Sequence, residues 1–313
     1  MRAVRMHDFG GAEVLGVEEL APPEPGLGEV LVSVASIGVN PVDWKIRAGH
    51  LREKVKLPMT PGQDIAGVVA ALGPKAADKA GERERLFHPG ERVFGIADGA
   101  YAELAVARAD RLAHVPDALG LDVAAALPTP GLTALQMIER AGVRGGERVL
   151  VHGAGGSVGA LIVQMAKDLG AEVVATVLTS DVDYVSGLGA DVVVDTSRDP
   201  FQDRAGDINA VLDLIGGELQ QRSWALLRPG GVLVSSVGLA GGPEQEAAER
   251  RGIRAASFWM QPDAHGLERL ADMVARGQLR VRIGRVLPFP QAREAQLALE
   301  RHEVQGKVLM RVA

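Results

Sequence analysis

The stretch VLVHGAGGSVGALIVQMAKDLG, residues 149–170, changes its hydrophobic period partway through. Val149, Leu150 and Val151 form a short continuous apolar block, and beyond the glycines Val158, Leu161, Ile162, Met165 and Leu169 recur at three- and four-residue steps. That pattern predicts a buried strand turning into an amphipathic helix. The corner between them carries Gly153, Gly155, Gly156 and Gly159, with Ser157 and Val158 opening the helix. A phosphate needs backbone N–H groups aimed at it with no Cβ in the way, and it gains from the positive end of a helix. A ligand-free strand-to-helix turn uses the same residues, so the glycines alone are weak evidence. The second apolar run EVVATVL follows about twenty residues later, the setting that a dinucleotide site requires.

Outward from this corner, RVLVHG, EVVATVL, DVVVD, AVLDLIG, GVLVSSVG and GIRAASF alternate with helix-compatible segments. Six such runs predict a doubly wound, Rossmann-type parallel sheet covered on both faces, α/β in class. Its expected span is residues 121–258. The flanking parts, 1–120 plus 259–313, read differently. EVLVSVASIGVN, IAGVVAAL, ERVFGIA and AYAELAVA are β-rich and broken by Pro/Gly clusters. They predict a twisted antiparallel sheet or partial barrel, its edge completed by GKVLMRV near the end of the chain. The stretch 74–86 mixes four basic with three acidic residues and reads as a solvated loop.

The 313 residues are 47% hydrophobic and 24% charged, ordinary for a globular protein, and two domains are expected. A net charge of −6 gives no electrostatic reason to expect nucleic acid or an anionic membrane as partner. With no cysteine there are no disulfides, no thiolate metal ligands and no cysteine nucleophile. The first residues, MRAVRMHDFGG, hold no apolar signal core, and no run is long enough to span a bilayer. A cytoplasmic protein is expected.

The end of the second parallel strand distinguishes NAD from NADP, because an acid there takes the ribose hydroxyls. The chain offers Thr176, Val177, Leu178, Thr179 and Ser180, with no acid until Asp181. A 2′-phosphate is tolerated by such a stretch, with Thr176, Thr179, Ser180 and Tyr184 as candidate contacts. No Arg or Lys stands in it, and Asp181 argues for NAD. The seven histidines form no metal-ligand spacing, and none is assigned to catalysis.

In order, FGGAEVL, GVNPVDWKIRAG, LPMTPGQDIAGVV, GAYAEL, AAALPTPGLTALQ, VHGAGGSVG, LRPGG and GKVLMRV closely resemble the zinc-independent medium-chain dehydrogenase/reductases, the quinone oxidoreductase group. The resemblance covers nearly the whole chain. It implies a GroES-like catalytic domain made from both chain parts, an inserted Rossmann domain, a cleft between them, and a homodimer paired through GIRAASF. Zinc-dependent relatives place a Cys where Asn40 stands and a Gly-His-Glu group where Gly62, Gln63 and Asp64 stand. Amides do not replace thiolate and imidazole on zinc. Without a Lewis acid, hydride delivery to an already electrophilic acceptor is what remains.

The resemblance also assigns roles. Asn40, Asp43, Thr129 and Thr133 are placed near a nicotinamide, with Val237 and Gly238 approaching it and Lys307 in contact with cofactor or oxyanion. Trp44, Phe258 and Trp259 are candidate walls of an acceptor pocket. Each has a plainer reading. Asn40 and Asp43 flank Pro41 and serve equally as helix caps, Thr129 and Thr133 satisfy backbone near a helix start, and a lone Trp is more often core. The function expected is an NADPH-dependent, zinc-free reductase of quinones or activated enones. The rivals are an enoyl reductase of a biosynthetic pathway and a cofactor-binding redox sensor with little turnover.

Overall fold

A computed structural model describes residues 1–74 and 87–312, so most of the charged stretch 74–86 lies outside the described residues. The chain forms two compact units, one of residues 1–132, 262–277 and 281–313, the other of residues 133–261 and 278–280.

The first unit opens with an antiparallel ribbon, β1 (Arg2–Met6) and β2 (Leu15–Glu19). The long strand β3 (Glu29–Val39) follows, then helix α1 (Pro41–Arg47), β4 (Asp64–Leu72), β5 (Arg92–Ile96), β6 (Leu104–Arg108), β7 (Leu112–His114) and helix α2 (Leu121–Ala125). Helix α3 (Pro128–Ala141) carries the chain into the second unit. The expected crossing at residue 120 therefore falls later. The reason is that α2 packs on β3, β4 and β5.

In the second unit, β8 (Arg148–His152), α4 (Ser157–Asp168), β9 (Glu172–Val177), α5 (Val182–Ser186), β10 (Val192–Asp195), α6 (Gln202–Ala205), β11 (Ile208–Asp213), α7 (Gly217–Ser223), β12 (Leu227–Ser235), α8 (Pro243–Arg250) and β13 (Arg254–Ser257) alternate as expected. The strand order is β10-β9-β8-β11-β12-β13 and every pairing is parallel. That is the doubly wound order in which the chain reverses direction beside β8, and ligands lie outside the carboxyl ends at such a switch point. Leu150, Val174, Val194, Val211 and Leu233 fill the core with Phe201 and Trp224. Helix α4 is buried from Gly159 to Ala166, and its Gln164 side chain exchanges hydrogen bonds with the Arg280 backbone, which ties residues 278–280 to this unit.

The chain returns to the first unit with α9 (Ala264–Ala275), β14 (Ile283–Pro288), α10 (Ala292–Glu300) and β15 (Lys307–Arg311). The main sheet runs β14-β15-β3-β4-β5-β7, with β6 also paired to β3. The expectation for GKVLMRV needs correction: β15 is not the edge. It lies between β3, antiparallel, and β14, parallel, so both rows of its backbone groups are paired. The missed edge strand β14 has a half-exposed alternation around Gly284 and ends at Pro288, features that weaken a strand reading. No helix among the described residues is long and apolar enough to cross a membrane.

Strand β3 is the axis of this sheet, and Gly38 shows how tightly it is packed. A Cβ there would fall 2.4 Å from Ala125 O, 2.8 Å from Asp64 Cβ and 3.0 Å from Lys307 Cε. Gly38→Ala is expected to lower unfolding stability by about 1–3 kcal/mol, as overpacking does; a urea denaturation curve coincident with that of the parent would contradict this packing.

Candidate functional site

Residues distant in sequence meet because β15, β3 and β4 are neighbours. Gly38 on β3 is opposite Leu309 on one side and Asp64 on the other, so Lys307, Asn40 and Asp64 converge at one end of these strands. All three side chains are buried. The Lys307 ammonium donates to Asp64 Oδ2 at 2.9 Å and to Asn40 Oδ1. Asn40 Nδ2 donates to the same Asp64 Oδ2 at 2.9 Å and makes a long 3.5 Å contact to Gly38 O. Asp64 Oδ1 accepts from Thr129 N–H at 3.1 Å and from its hydroxyl at 2.5 Å. The carboxylate is thus satisfied on both oxygens and faces a cation, the condition under which a buried charge is tolerated.

Asp43 adds a second layer. Asn40 is extended and Pro41 starts α1, so the Asn40 N–H would be left over at the helix end. It donates to Asp43 Oδ2 at 2.8 Å, and the buried Tyr101 hydroxyl donates to the same oxygen at 2.9 Å. The capping reading of Asp43 is met by this bond, and the same carboxylate lies buried beside Asn40 and Tyr101. Burial, reinforced by the nearby Asp64 charge, pushes the Asp43 carboxyl up to about 7 against the bonds from Asn40 and Tyr101. Its Oδ1 has no hydrogen-bond partner.

In the second unit, α4 starts at Gly156 without a side-chain cap, and Ala160 N–H donates to Gly156 O at 3.0 Å. The N–H groups ahead of it face out of the helix end. Gly153 has φ +74°, and a Cβ on Gly159 would stand 2.3 Å from Gly153 O and 2.6 Å from Ala154 Cα. The helix end carries no side-chain cap and glycine stands where the turn is tightest, so the backbone of Gly153, Gly155, Gly156, Ser157, Val158 and Gly159 fits a pyrophosphate. Asp181 reaches back here, since a Cβ on Gly155 would lie 2.6 Å from its Oδ2. The acid that argued for NAD is part of the corner.

Other expected contacts lie elsewhere. The Thr176 hydroxyl is buried against His152 Nδ1 at 2.9 Å, while His152 Nε2 meets Ser223 Oγ at 2.7 Å. Burial lowers this imidazole to about 4, so it is neutral and holds the strands together; Thr176 belongs to the core and not to a cofactor surface. Thr179 donates its hydroxyl to Asp195 Oδ2 at 2.6 Å. Ser180 is exposed and Tyr184 half-buried. Thr133 is buried on α3, Val237 is exposed just after β12, and Gly238 has φ +95°. Phe258 is half-buried and Trp259 exposed after β13, whereas Trp44, in the first unit, is half-buried with its ring edge-on to His50. Lys307 makes its contacts inward, to Asn40 and Asp64. Asp64 and Tyr101 were absent from the expected site residues; strand pairing brings Asp64 beside Asn40, and the loop before β6 brings the Tyr101 hydroxyl to Asp43.

Two family models match this chain: an alcohol dehydrogenase GroES-like domain over residues 26–117 and a zinc-binding dehydrogenase domain over residues 188–310. The quinone oxidoreductase of Mus musculus is 34% identical over 247 residues, 75% of this chain and 72% of that protein. The spectinabilin polyketide synthase system protein NorB of Streptomyces orinoci is 36% identical over 281 residues, 87% of this chain but 12% of that much longer protein. Among solved structures, the quinone oxidoreductase from Coxiella burnetii superposes with a TM-score of 0.91 at 31% identity, covering 100% of this chain and 99% of that one. The Escherichia coli quinone oxidoreductase complexed with NADPH gives 0.87 at 25% identity, covering 99% and 100%.

Replacing Lys307 with Met strands the Asp64 carboxylate in the interior and should cost about 3–5 kcal/mol of stability, read by urea unfolding. A second expectation concerns pH. Between 3.8 and about 7 the unfolded chain releases the Asp43 proton while the folded chain keeps it. Stability therefore falls as pH rises through that window and is level above it. Asp43→Asn, which resembles the protonated acid, should flatten this slope, removing a difference on the order of a few kcal/mol between acid and neutral pH. Parallel melting-temperature profiles for parent and variant from pH 4 to 8 would contradict the raised carboxyl.

Proposed function

This chain belongs to the quinone oxidoreductase group of the medium-chain dehydrogenase/reductases, and from that membership we propose a zinc-free, NADPH-dependent reductase of quinones or activated α,β-unsaturated carbonyls. The observation that carries the zinc-free part is the Lys307 ammonium bound to both Asn40 and Asp64. These are the positions at which the sequence resemblance puts a zinc ligand set. Asp64 already has its counter-ion there, and a metal would have to displace it.

NADPH is assigned from the uncapped glycine corner together with the NADPH complex of the E. coli neighbour. Bound there, reduced nicotinamide supplies the hydride. The chain's own residues then position and stabilise. The amino end of α4 holds the pyrophosphate. The second Nδ2 hydrogen of Asn40, engaged only by the long contact to Gly38 O, is the donor assigned to an oxyanion developing on the acceptor. Lys307 and Asp64 fix which way that carboxamide faces, and Thr129 fixes Asp64. Solvent supplies the proton that completes the hydroquinone or the saturated carbonyl. Strand β13, at the edge of the parallel sheet, is the surface assigned to pairing with a second copy.

A second reading, a biosynthetic enoyl reductase, is favoured by the match to NorB along 87% of this chain. Both readings share cofactor and hydride chemistry and differ in the acceptor. The test is NADPH oxidation against a panel of quinones, enones and simple aldehydes, with and without EDTA. Turnover of quinones or enones that EDTA leaves unchanged is the expected result, and the faster acceptor class selects between the readings. Activity abolished by EDTA and restored by zinc would overturn the zinc-free assignment. NADPH binding without turnover on any acceptor would point to a redox sensor.

A further inference from the structure

The loops that leave the carboxyl edge of the parallel sheet after β8 to β13 cover residues 153–156, 178–181, 196–201, 214–216, 236–242 and 258–263. Among them stands a single Lys or Arg, Arg198. The adenine-side ribose of a dinucleotide sits by the end of the second strand, here the end of β9. This stretch has no cation of its own. Its neighbour β10 delivers one.

The link is Asp195, the last residue of β10. Its Oδ2 accepts from the Thr179 hydroxyl, just past β9, at 2.6 Å, and the same oxygen lies 3.3 Å from Arg198 Nε. Its Oδ1 accepts from the Ser197 N–H at 3.0 Å and from the Ser197 hydroxyl at 2.5 Å. One carboxylate therefore clamps the β9 and β10 loops together and sets a guanidinium beside Thr179. The ion pair is made through Nε, so the two terminal nitrogens remain for another anion, and the Arg198 side chain is 71% exposed. An arginine so placed offers a forked, always charged donor pair, which suits phosphate. Thr179 has spent its proton on Asp195 and is no phosphate donor.

Resting on the NADPH reading above, we infer that Arg198 is the residue that selects NADPH over NADH, taking the 2′-phosphate on its terminal nitrogens. Its charge is needed twice. It attracts the phosphate, and it offsets Asp195 and the adjoining Asp199, which would otherwise repel it.

The test is equilibrium binding to the full-length protein, by calorimetry, of NADPH, NADH, adenosine 2′,5′-bisphosphate and 5′-AMP. The parent should prefer the two ligands with a 2′-phosphate. Arg198→Ala should weaken both by about tenfold or more and leave NADH and 5′-AMP within about twofold, since the lost contact is charge-assisted and confined to that phosphate. Arg198→Lys should keep part of the preference. The side chain is exposed, so unchanged melting temperatures are expected. A parent that prefers NADPH together with an Arg198→Ala variant that binds it equally well would overturn this inference while leaving the cofactor reading intact. A parent with no preference for the 2′-phosphate would overturn both.

Discussion

A buried ammonium resting on a buried carboxylate, Lys307 on Asp64, is the interaction around which the first unit is organised. It joins a residue near the end of the chain to one near its beginning, and the strand between them supplies Asn40. Leaving either charge alone in the interior would be expensive, so strand pairing, the Gly38 contact and the Thr129 bonds to Asp64 all have to be made together. The apolar packing around it, with Ile37, Val39, Ile65 and Val308, drives the sheet together. The charge pair sits at the end of the sheet where β15, β3 and β4 lie side by side.

The second unit rests on a different constraint, backbone left without partners. A parallel sheet buried on both faces needs a turn into each helix, and at β8 that turn leaves the helix end uncapped. Gly159 cannot carry a Cβ against Gly153 O, and Gly153 cannot easily be another residue at its positive φ. Beneath the corner, neutral His152 between Thr176 and Ser223 keeps β8 and β9 in register without exposing a charge. The corner is braced from below, its helix end is uncapped, and the Asp181 carboxylate lies against Gly155.

Much of this was legible in residue order. The central parallel strands announced themselves because a strand buried on both faces is apolar throughout, and the glycine corner because its spacing follows from phosphate geometry. Asn40, Asp43, Thr129 and Lys307 stood out through resemblance, and the structure gathers them around Asp64. Other features were hidden. Thr176 reads as a strand-end hydroxyl, yet the pleat turns it into the core. Strand β14, with alternate residues half-exposed, has a weak pattern of its own and exists because β15 offers it an edge.

By itself, then, the sequence determined the doubly wound sheet, the bare turn at its switch point and the absence of thiolate chemistry. These depend on local period, glycine placement and composition, which neighbours in the chain can specify. Only the tertiary structure decided that Lys307 turns inward to Asp64, that Asp43 holds a proton near neutrality, that Asp181 lies on the glycine corner, and that Arg198 stands beside Thr179. Each of those is a matter of charge and burial set by groups from different strands. The electrostatics of a site is fixed by distance in space, and distance in sequence carries no record of it.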